Sequence, residues 1–184
     1  MKKLVSLAFL GLFVFSVPAL AGIEKGNGEI GVDYGSTSYD NDAAEFDSSD
    51  SLSLRGGYFF TNLFQLEGQY ISSDTTVEEI GESIKASTDI MMVNGVFNFM
   101  PGKEIKPYVL VGLGQASTDI DAEGFGSVDD SGTAYQIGAG SRFFFGKSKR
   151  AAFRFDVSMI NQDTFEEETT NTTVAGGFTF RLGK

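Results

Sequence analysis

Apolar and polar residues alternate with a period of two along most of the chain after residue 28, and this period is typical of β-strands. In one segment, Phe153 and Phe155 alternate with Arg154 and Asp156. Eight such segments of roughly ten residues follow one another, the length that a tilted strand needs to cross a bilayer. We therefore predict an all-β fold, an eight-stranded antiparallel transmembrane up-and-down β-barrel.

The fifth segment, 107–116, is apolar on both faces, so its phase is less clear than that of the others. We predict that Val109, Val111 and Leu113 face the lipid. Some apolar residues interrupt the alternation elsewhere, such as Phe59, Ile71 and Phe144, and are expected at the barrel rims or in its interior.

The predicted connections alternate in length. The long ones are 39–50, 73–87, 117–132 and 161–171, and the short ones are 61–62, 100–104 and 146–150. Outer-membrane barrels have long outer loops and short periplasmic turns in this order, and an even number of strands leaves both termini in the periplasm. The long connections hold 18 of the 25 acidic residues, so the sequence predicts four acidic extracellular loops. One of these loops has helical spacing at Val77, Ile80 and Ile84, which predicts a short turn of helix.

The first 21 residues do not fit the strand pattern. Lys2 and Lys3 precede an apolar run over 4–17, and Ala19-Leu20-Ala21 forms a small-x-small cleavage site. These features predict a secretory signal peptide over residues 1–21, cleaved before Gly22. The barrel domain is then residues 22–184, located in the outer membrane of a Gram-negative cell.

Composition narrows the choice of partners. After removal of Lys2 and Lys3, 12 basic and 25 acidic residues remain, so the formal charge of the mature chain is −13. Such a charge argues against nucleic acid, whose phosphates are met by Lys and Arg. No further apolar stretch is long enough for a membrane helix, so entry into a membrane requires a closed barrel whose strands leave no open edge.

The polar face carries charges on most strands, which favours an interior where they pair. A soluble lipocalin-like barrel, in which the apolar face points inward around a ligand, is the less favoured alternative. We expect Glu67 to pair with Arg55 or with an arginine across the barrel and to close the lumen. The predicted interior charge network is Glu29, Asp33, Arg55, Glu67, Arg142, Arg154, Asp156 and Arg181. The predicted aromatic girdle at the periplasmic interface is Phe60, Phe64, Phe97, Phe99, Phe143, Phe145, Phe153, Phe178 and Phe180.

Three stretches resemble the OmpX/OmpA-type family of small outer-membrane barrels: KPYVLVGLG at 106–114, QIGAGSRFF at 136–144 and AGGFTFRL at 175–182. The resemblance implies a barrel surrounded by outer-membrane lipid and lipopolysaccharide and inserted by the barrel-assembly machinery. That machinery reads a final strand with a terminal aromatic residue, whereas this chain continues past Phe180 to Lys184. Members of the family are variously structural, adhesive or protective.

Candidate chemistry is sparse. The chain has no histidine, so it lacks the base of a Ser–His or Asp–His mechanism, and we predict that it is not an enzyme. One motif approximates a calcium-binding loop, with Asp119, Asp121 and Glu123 at alternate positions and Asp130 in the twelfth. Apart from this hypothetical Ca²⁺, we expect no cofactor.

The sequence thus favours a monomeric scaffold that presents acidic loops for surface interaction or adhesion, with a host or surface ligand as partner. A narrow porin-like channel or an envelope-integrity protein is the alternative. The interior of an eight-stranded barrel is just wide enough for its own side chains, which favours a plug over a pore.

Overall fold

The computed structural model describes residues 25–40, 49–79, 82–100, 103–122, 126–146, 148–164 and 167–183. Eight antiparallel strands form one closed barrel in sequence order, and the last strand pairs with the first, which confirms the predicted fold. The strands are β1 Gly28–Asp40, β2 Ser49–Phe59, β3 Phe64–Glu79, β4 Glu82–Asn98, β5 Ile105–Ala122, β6 Gly126–Phe145, β7 Ala151–Thr164 and β8 Glu167–Leu182. The predicted signal peptide lies outside the described residues.

None of the residues that the structure describes lies in a helix long and apolar enough to cross a membrane.

Side chains alternate between the two faces of the sheet as predicted. In β5, Val111 and Leu113 point outward and are 60% and 63% exposed, whereas Tyr108 and Leu110 are each 1% exposed in the interior. The predicted phase of this strand is therefore confirmed. The three residues that interrupted the alternation, Phe59, Ile71 and Phe144, are all buried inside the barrel.

The outward face carries an apolar belt. From Ile105 to Leu113 it spans roughly 26 Å of strand, or about 20 Å along the membrane normal at a tilt of about 40°, close to the apolar band of outer-membrane barrels. Nine phenylalanines of the predicted girdle are exposed near the short turns: Phe60, Phe64, Phe97, Phe99, Phe143, Phe145, Phe153, Phe178 and Phe180. The lipocalin-like alternative is wrong, because the charged face is the one that is buried.

The strands are longer than the alternation predicted, so the predicted long loops at 73–87, 117–132 and 161–171 are largely wrong. Most of their residues continue the strands into hairpins whose last paired residues are Glu79 with Glu82, Ala122 with Gly126, and Thr164 with Glu167. The sequence missed this extension because Ser, Thr, Asp and Glu occupy both faces there, so no apolar stripe marks the strand. In the remaining predicted loop, residues 41–48 lie outside the described ones.

The predicted turn of helix is also wrong. Val77 belongs to β3 and Ile84 to β4, and the two residues are register partners in the same hairpin. Their separation of seven residues matches helical spacing, but it equally matches two positions that face each other across a tight strand reversal.

The two ends of the barrel differ. One end, called here the turn end, holds the three short connections 60–63, 99–104 and 146–150 together with residues 25–27. Gly146 has φ +78°, a left-handed conformation that glycine adopts without cost, and its carbonyl accepts a hydrogen bond from the Lys149 N–H. The opposite end, called the hairpin end, carries the strand extensions.

The hairpin end projects beyond the belt as a four-stranded sheet. After Leu113, the outward residues of β5 become polar, and the strand continues for roughly 30 Å to Ala122. The pairing of β2 with β3 ends at Asp74, and that of β6 with β7 begins at Ala134. Within the described part of the chain, strand pairing of residues 75–79 of β3 is with β4 and that of 126–133 of β6 is with β5, so these two segments form the edges of the projecting sheet.

Candidate functional site

The barrel interior contains a buried charge network centred on Glu67, which projects inward from β3 and is 1% exposed. Three arginines surround its carboxylate. Arg154 Nη1 lies 2.6 Å from Oε2, Arg55 Nη1 lies 3.0 Å from Oε1, and Arg142 Nη2 lies 3.6 Å from Oε2. One carboxylate thus links arginines from three different strands, β2, β6 and β7.

Arg142 and Arg154 are direct register partners on β6 and β7, and both are fully buried. Two guanidinium groups side by side repel each other unless anions lie between them. Glu67 accepts hydrogen bonds from Arg154, while Glu29 Oε1 lies 3.0 Å from Arg142 Nη2. The two glutamates therefore compensate a pair of like charges that the strand register brings together.

Two aspartates complete the network toward the hairpin end. Arg55 Nε donates to Asp33 on the neighbouring strand, and its Nη2 lies 3.5 Å from Asp156 Oδ2. Asp156 also accepts a hydrogen bond from Arg154 Nε at 2.9 Å. Each carboxylate in this part contacts at least one arginine, because a buried charge without a partner would strongly destabilise the fold.

Arg181 forms the turn-end border of the network. It is 1% exposed, and its Nε lies 3.9 Å from Glu29 Oε2, its register partner on β1. Its guanidinium lies 3.5 Å from the ring centroid of Phe144 and 6.0 Å from that of Phe59. The cation is held mainly by aromatic faces, which attract it through their negative quadrupole.

The structure thus places all eight predicted interior residues in one connected cluster. The sequence prediction missed Tyr108, whose hydroxyl donates to Asp156 and accepts a hydrogen bond from Arg154 Nε at 2.7 Å. The Tyr108 ring also lies 4.4 Å from the Arg142 guanidinium. Because β5 is apolar on both faces, this tyrosine carried no signal of its own. It could have been found from its phase, one residue before the outward Val109.

Two amides were missed as well. Arg142 donates to Asn98 Oδ1 at 2.6 Å and to Gln65 Oε1 at 2.8 Å. Both amides lie on inward positions of β4 and β3, and both are fully buried. Neutral amide oxygens thus accept hydrogen bonds from an arginine alongside the carboxylates, a role that composition alone does not reveal.

The lumen next to the network is filled. Toward the hairpin end an apolar cluster occupies one side of the interior, made of Ile71, Ile90, Met92, Ala116, Ala134 and Ile160. A cavity beside Asp33, Ser53 and Asp156 has a volume of about 10 Å³, which is room for about one water molecule. Each carboxylate of the network is paired with arginine, and the lumen beside it is packed. The network therefore has a structural role.

The calcium motif does not form an EF-hand loop. Asp119 and Asp121 lie in β5, Asp130 lies in β6, and Glu123 lies outside the described residues. The register partner of Asp130 is Thr118, so alternation puts Asp119 and Asp130 on opposite faces of the hairpin. Within the described part of the chain, no three acidic side chains are grouped so that they could hold a metal ion. Binding of Ca²⁺ at this hairpin end stays a prediction.

The hairpin end has an unusual charge pattern. Among the described residues, both register partners are acidic in four cross-strand pairs: Asp50 with Asp74, Glu79 with Glu82, Asp119 with Asp129, and Asp163 with Glu168. Like charges directly opposite each other destabilise a sheet. The repetition concentrates negative charge on the projecting sheet and in the neighbouring strands.

Comparisons with known proteins agree with the architecture. The family model for the outer membrane protein beta-barrel domain matches residues 7–183. A comparison with curated proteins gives no significant match.

Solved structures with a similar fold include Ail, the attachment invasion locus protein of Yersinia pestis, with 20% identity, a TM-score of 0.61, and coverage of 86% of this chain and 99% of that one. Ail has also been solved in complex with the heparin analogue sucrose octasulfate. Neisserial surface protein A is 10% identical with a TM-score of 0.68, and the alignment covers 85% of this chain and 99% of that one. The N-terminal barrel of Pseudomonas aeruginosa OprF is 20% identical with a TM-score of 0.56, over 85% and 98% of the two chains.

Proposed function

The chain belongs to the outer membrane protein beta-barrel domain family, and we propose that it is a non-enzymatic scaffold that presents an acidic sheet outside the cell and binds cationic partners there. In this proposal the turn end and both termini face the periplasm after signal-peptide cleavage, and the barrel acts as a monomer. The hairpin end is the extracellular surface.

The observation that carries this proposal is the set of acidic register pairs on the hairpin end. Solubility alone would favour a mixture of acidic and basic residues on this sheet, because mixed charges avoid cross-strand repulsion. Asp119 and Asp129 oppose each other near the end of the projecting sheet, and Asp50 and Asp74 oppose each other at its base. A cationic ligand would relieve this repulsion, so folding and binding would favour each other.

An edge of the projecting sheet offers a second element of recognition. In the described part of the chain, residues 75–79 of β3 pair only with β4, so their outer backbone N–H and C=O groups can hydrogen-bond an extended peptide, and this mode provides affinity through the main chain. An acidic edge selects a basic peptide through charge complementarity. The same charge disfavours sulfated polysaccharides, so we expect a ligand class opposite in charge to the sucrose octasulfate bound by Ail.

The filled interior supports the scaffold over the porin-like alternative. Arg154 and Glu67 connect opposite walls of the barrel, and an apolar cluster occupies the lumen toward the hairpin end. Transport of a solute through the lumen would require breaking these contacts.

Binding of a fluorescent deca-lysine peptide to the protein in nanodiscs of zwitterionic lipid tests the proposal. We expect saturable binding that weakens with salt and falls at least tenfold when Asp50, Asp74, Asp119 and Asp129 are all changed to Asn. Four Ser→Ala or Thr→Ala changes at other outward positions of the same end, Ser36, Ser117, Ser131 and Thr133, are the control and should leave binding unchanged. Binding of sucrose octasulfate in place of the peptide, or equal peptide binding by the Asn variant, would contradict it.

A cellular test separates the interaction role from an envelope role. Shortening the hairpins beyond Asp74 and Thr118 leaves the membrane-crossing strands intact. We expect such cells to lose attachment to a cationic surface and to keep normal resistance to detergent. Detergent sensitivity with unchanged attachment would instead favour envelope support.

A further inference from the structure

Two of the short connections lie side by side at the turn end. The Phe144 N–H donates to the Glu104 carbonyl at 2.9 Å, and Lys149 Nζ lies 3.1 Å from Glu104 Oε1. These contacts join the β4–β5 connection to the β6–β7 connection. Together the two connections present Lys103, Lys149 and Arg150, which we call the basic rim.

The basic rim occupies one side of the barrel. The described residues of the two connections include three basic side chains and one carboxylate, that of Glu104. The β2–β3 connection on the other side, Thr61 to Leu63, carries no charge. Lys25 lies beside that uncharged connection, because its backbone N–H donates to Asn62 Oδ1 at 3.1 Å. Among the described residues of the three connections, the basic ones are therefore confined to two neighbouring connections, and Lys25 is a single cation on the other side.

Exposed apolar residues border the basic rim directly. Phe99, Met100, Ile105, Phe143 and Phe145 are each between 41% and 62% exposed and belong to the same two connections and the strand ends next to them. The turn-end border of the apolar belt and a group of cations thus occur at one place. In a membrane this level is where acyl chains give way to phosphate head groups.

We propose that the basic rim is a binding surface for anionic phospholipid head groups in the leaflet at the turn end. Acyl chains would contact the exposed phenylalanines, and the phosphates would lie next to the lysine ammonium groups. A lipid fits better than an acidic protein, because the cations border the lipid-facing belt instead of lying on a surface directed away from the membrane. Cations close to an anionic membrane surface each strengthen attraction to it.

Native mass spectrometry of the full-length barrel released from mixed phosphatidylcholine and phosphatidylglycerol nanodiscs tests this inference. The variant Lys103→Gln/Lys149→Asn removes two charges, and Asn suits the left-handed backbone at position 149, where φ is +47°. The variant Glu104→Gln removes the opposing carboxylate. Lys25→Gln is the control away from the basic rim, since it removes one charge from the same end, beside the uncharged connection.

We expect wild type to retain phosphatidylglycerol over phosphatidylcholine and the double variant to lose at least about fivefold of this preference. Glu104→Gln should increase the preference, and Lys25→Gln should leave it within twofold of wild type. Equal retention of the two lipids by wild type would overturn the proposal, as would an equal loss in Lys25→Gln. Binding of an oligoglutamate peptide to the basic rim in preference to phosphatidylglycerol would also overturn it, because that result identifies an acidic protein as the partner. The hairpin end is unchanged in all variants, so these results are independent of peptide binding there.

Discussion

Arg154 and Glu67 form a two-point ion pair across the barrel, with Nη1 2.6 Å from Oε2 and Nη2 3.2 Å from Oε1. They project from β7 and β3, which are four strands apart in a closed sheet of eight, so the pair connects opposite walls. A bidentate arginine–carboxylate contact has a fixed geometry and is among the stronger polar contacts in proteins. This pair places opposite charges next to each other in the interior and also crosses the lumen.

Removing one partner of this pair should destabilise the barrel strongly. Glu67→Gln leaves Arg154 and Arg142 adjacent without the charge between them, and breaking a buried pair in this way costs about 3–5 kcal/mol. We expect the free energy of unfolding in urea, measured in lipid vesicles by heat-modifiable gel mobility, to fall by that amount.

A double-mutant cycle isolates the pair itself. Glu67→Gln/Arg154→Gln should lose less stability than the sum of the two single changes, with a coupling energy of about 1–3 kcal/mol. The exposed pair Glu104 and Lys149 is the control, and its coupling should stay below about 1 kcal/mol. Additive effects at Glu67 and Arg154 would show that the pair does not hold the interior together.

The lumen should not conduct. Arg154, Glu67 and Tyr108 cross it, and the apolar cluster around Ile90 and Met92 occupies it toward the hairpin end. Planar-bilayer recordings of the pure protein are therefore expected to show no stable large conductance. The triple variant Glu67→Ala/Arg154→Ala/Met92→Ala removes side chains from both the charge network and the apolar cluster. It should show measurable channel openings if it folds, and heat-modifiable gel mobility reports whether it folds. A stable conductance in wild type would contradict a filled interior.

The membrane-crossing part of the fold could be predicted well from the sequence, because lipid outside and charges inside make each strand alternate. The strand ends could not. Residues 73–79 are Ser, Asp, Thr, Thr, Val, Glu and Glu, polar on both faces apart from Val77, so their pairing with β4 leaves no periodic signal. The interior network could be anticipated by residue type, since Glu67 and its arginines are the charges on inward positions. The choice of Arg154 as its bidentate partner depends on barrel closure, which brings β3 and β7 face to face.

Two glycines of the sheet should respond differently to alanine. A methyl group on Gly140 would overlap the Tyr108 hydroxyl and the Phe155 carbonyl oxygen, whereas one on Gly56 would meet no atom within 4 Å. Gly140→Ala should therefore lower the free energy of unfolding by about 1–3 kcal/mol through overpacking. Gly56→Ala should be neutral or stabilise by up to about 1 kcal/mol. Urea unfolding in vesicles compares the two, and equal effects would contradict the close packing around Tyr108.

The acidic register pairs should cost stability in the absence of a ligand. Asp129→Lys places an opposite charge against Asp119 and should raise the free energy of unfolding by about 0.2–1 kcal/mol at low salt. Thr133→Lys is the control: it adds one positive charge, which faces the uncharged Gln115, whereas Asp129→Lys changes the charge by two units. Its gain should be smaller. Both gains should shrink at high salt, because exposed charges are screened. A gain at Thr133 of half or more of the gain at Asp129 would show that net charge, not pairing, determines the stability.

The most direct test of the membrane-spanning barrel is the environment of its outward face along one strand. The chain has no cysteine, so single spin labels can be attached at Val111→Cys and Ser117→Cys, both outward on β5. In vesicles, the label at 111 should collide readily with oxygen and hardly with a water-soluble nickel complex, while the label at 117 should collide with the nickel complex. High accessibility of position 111 to the nickel complex would contradict a belt that faces lipid.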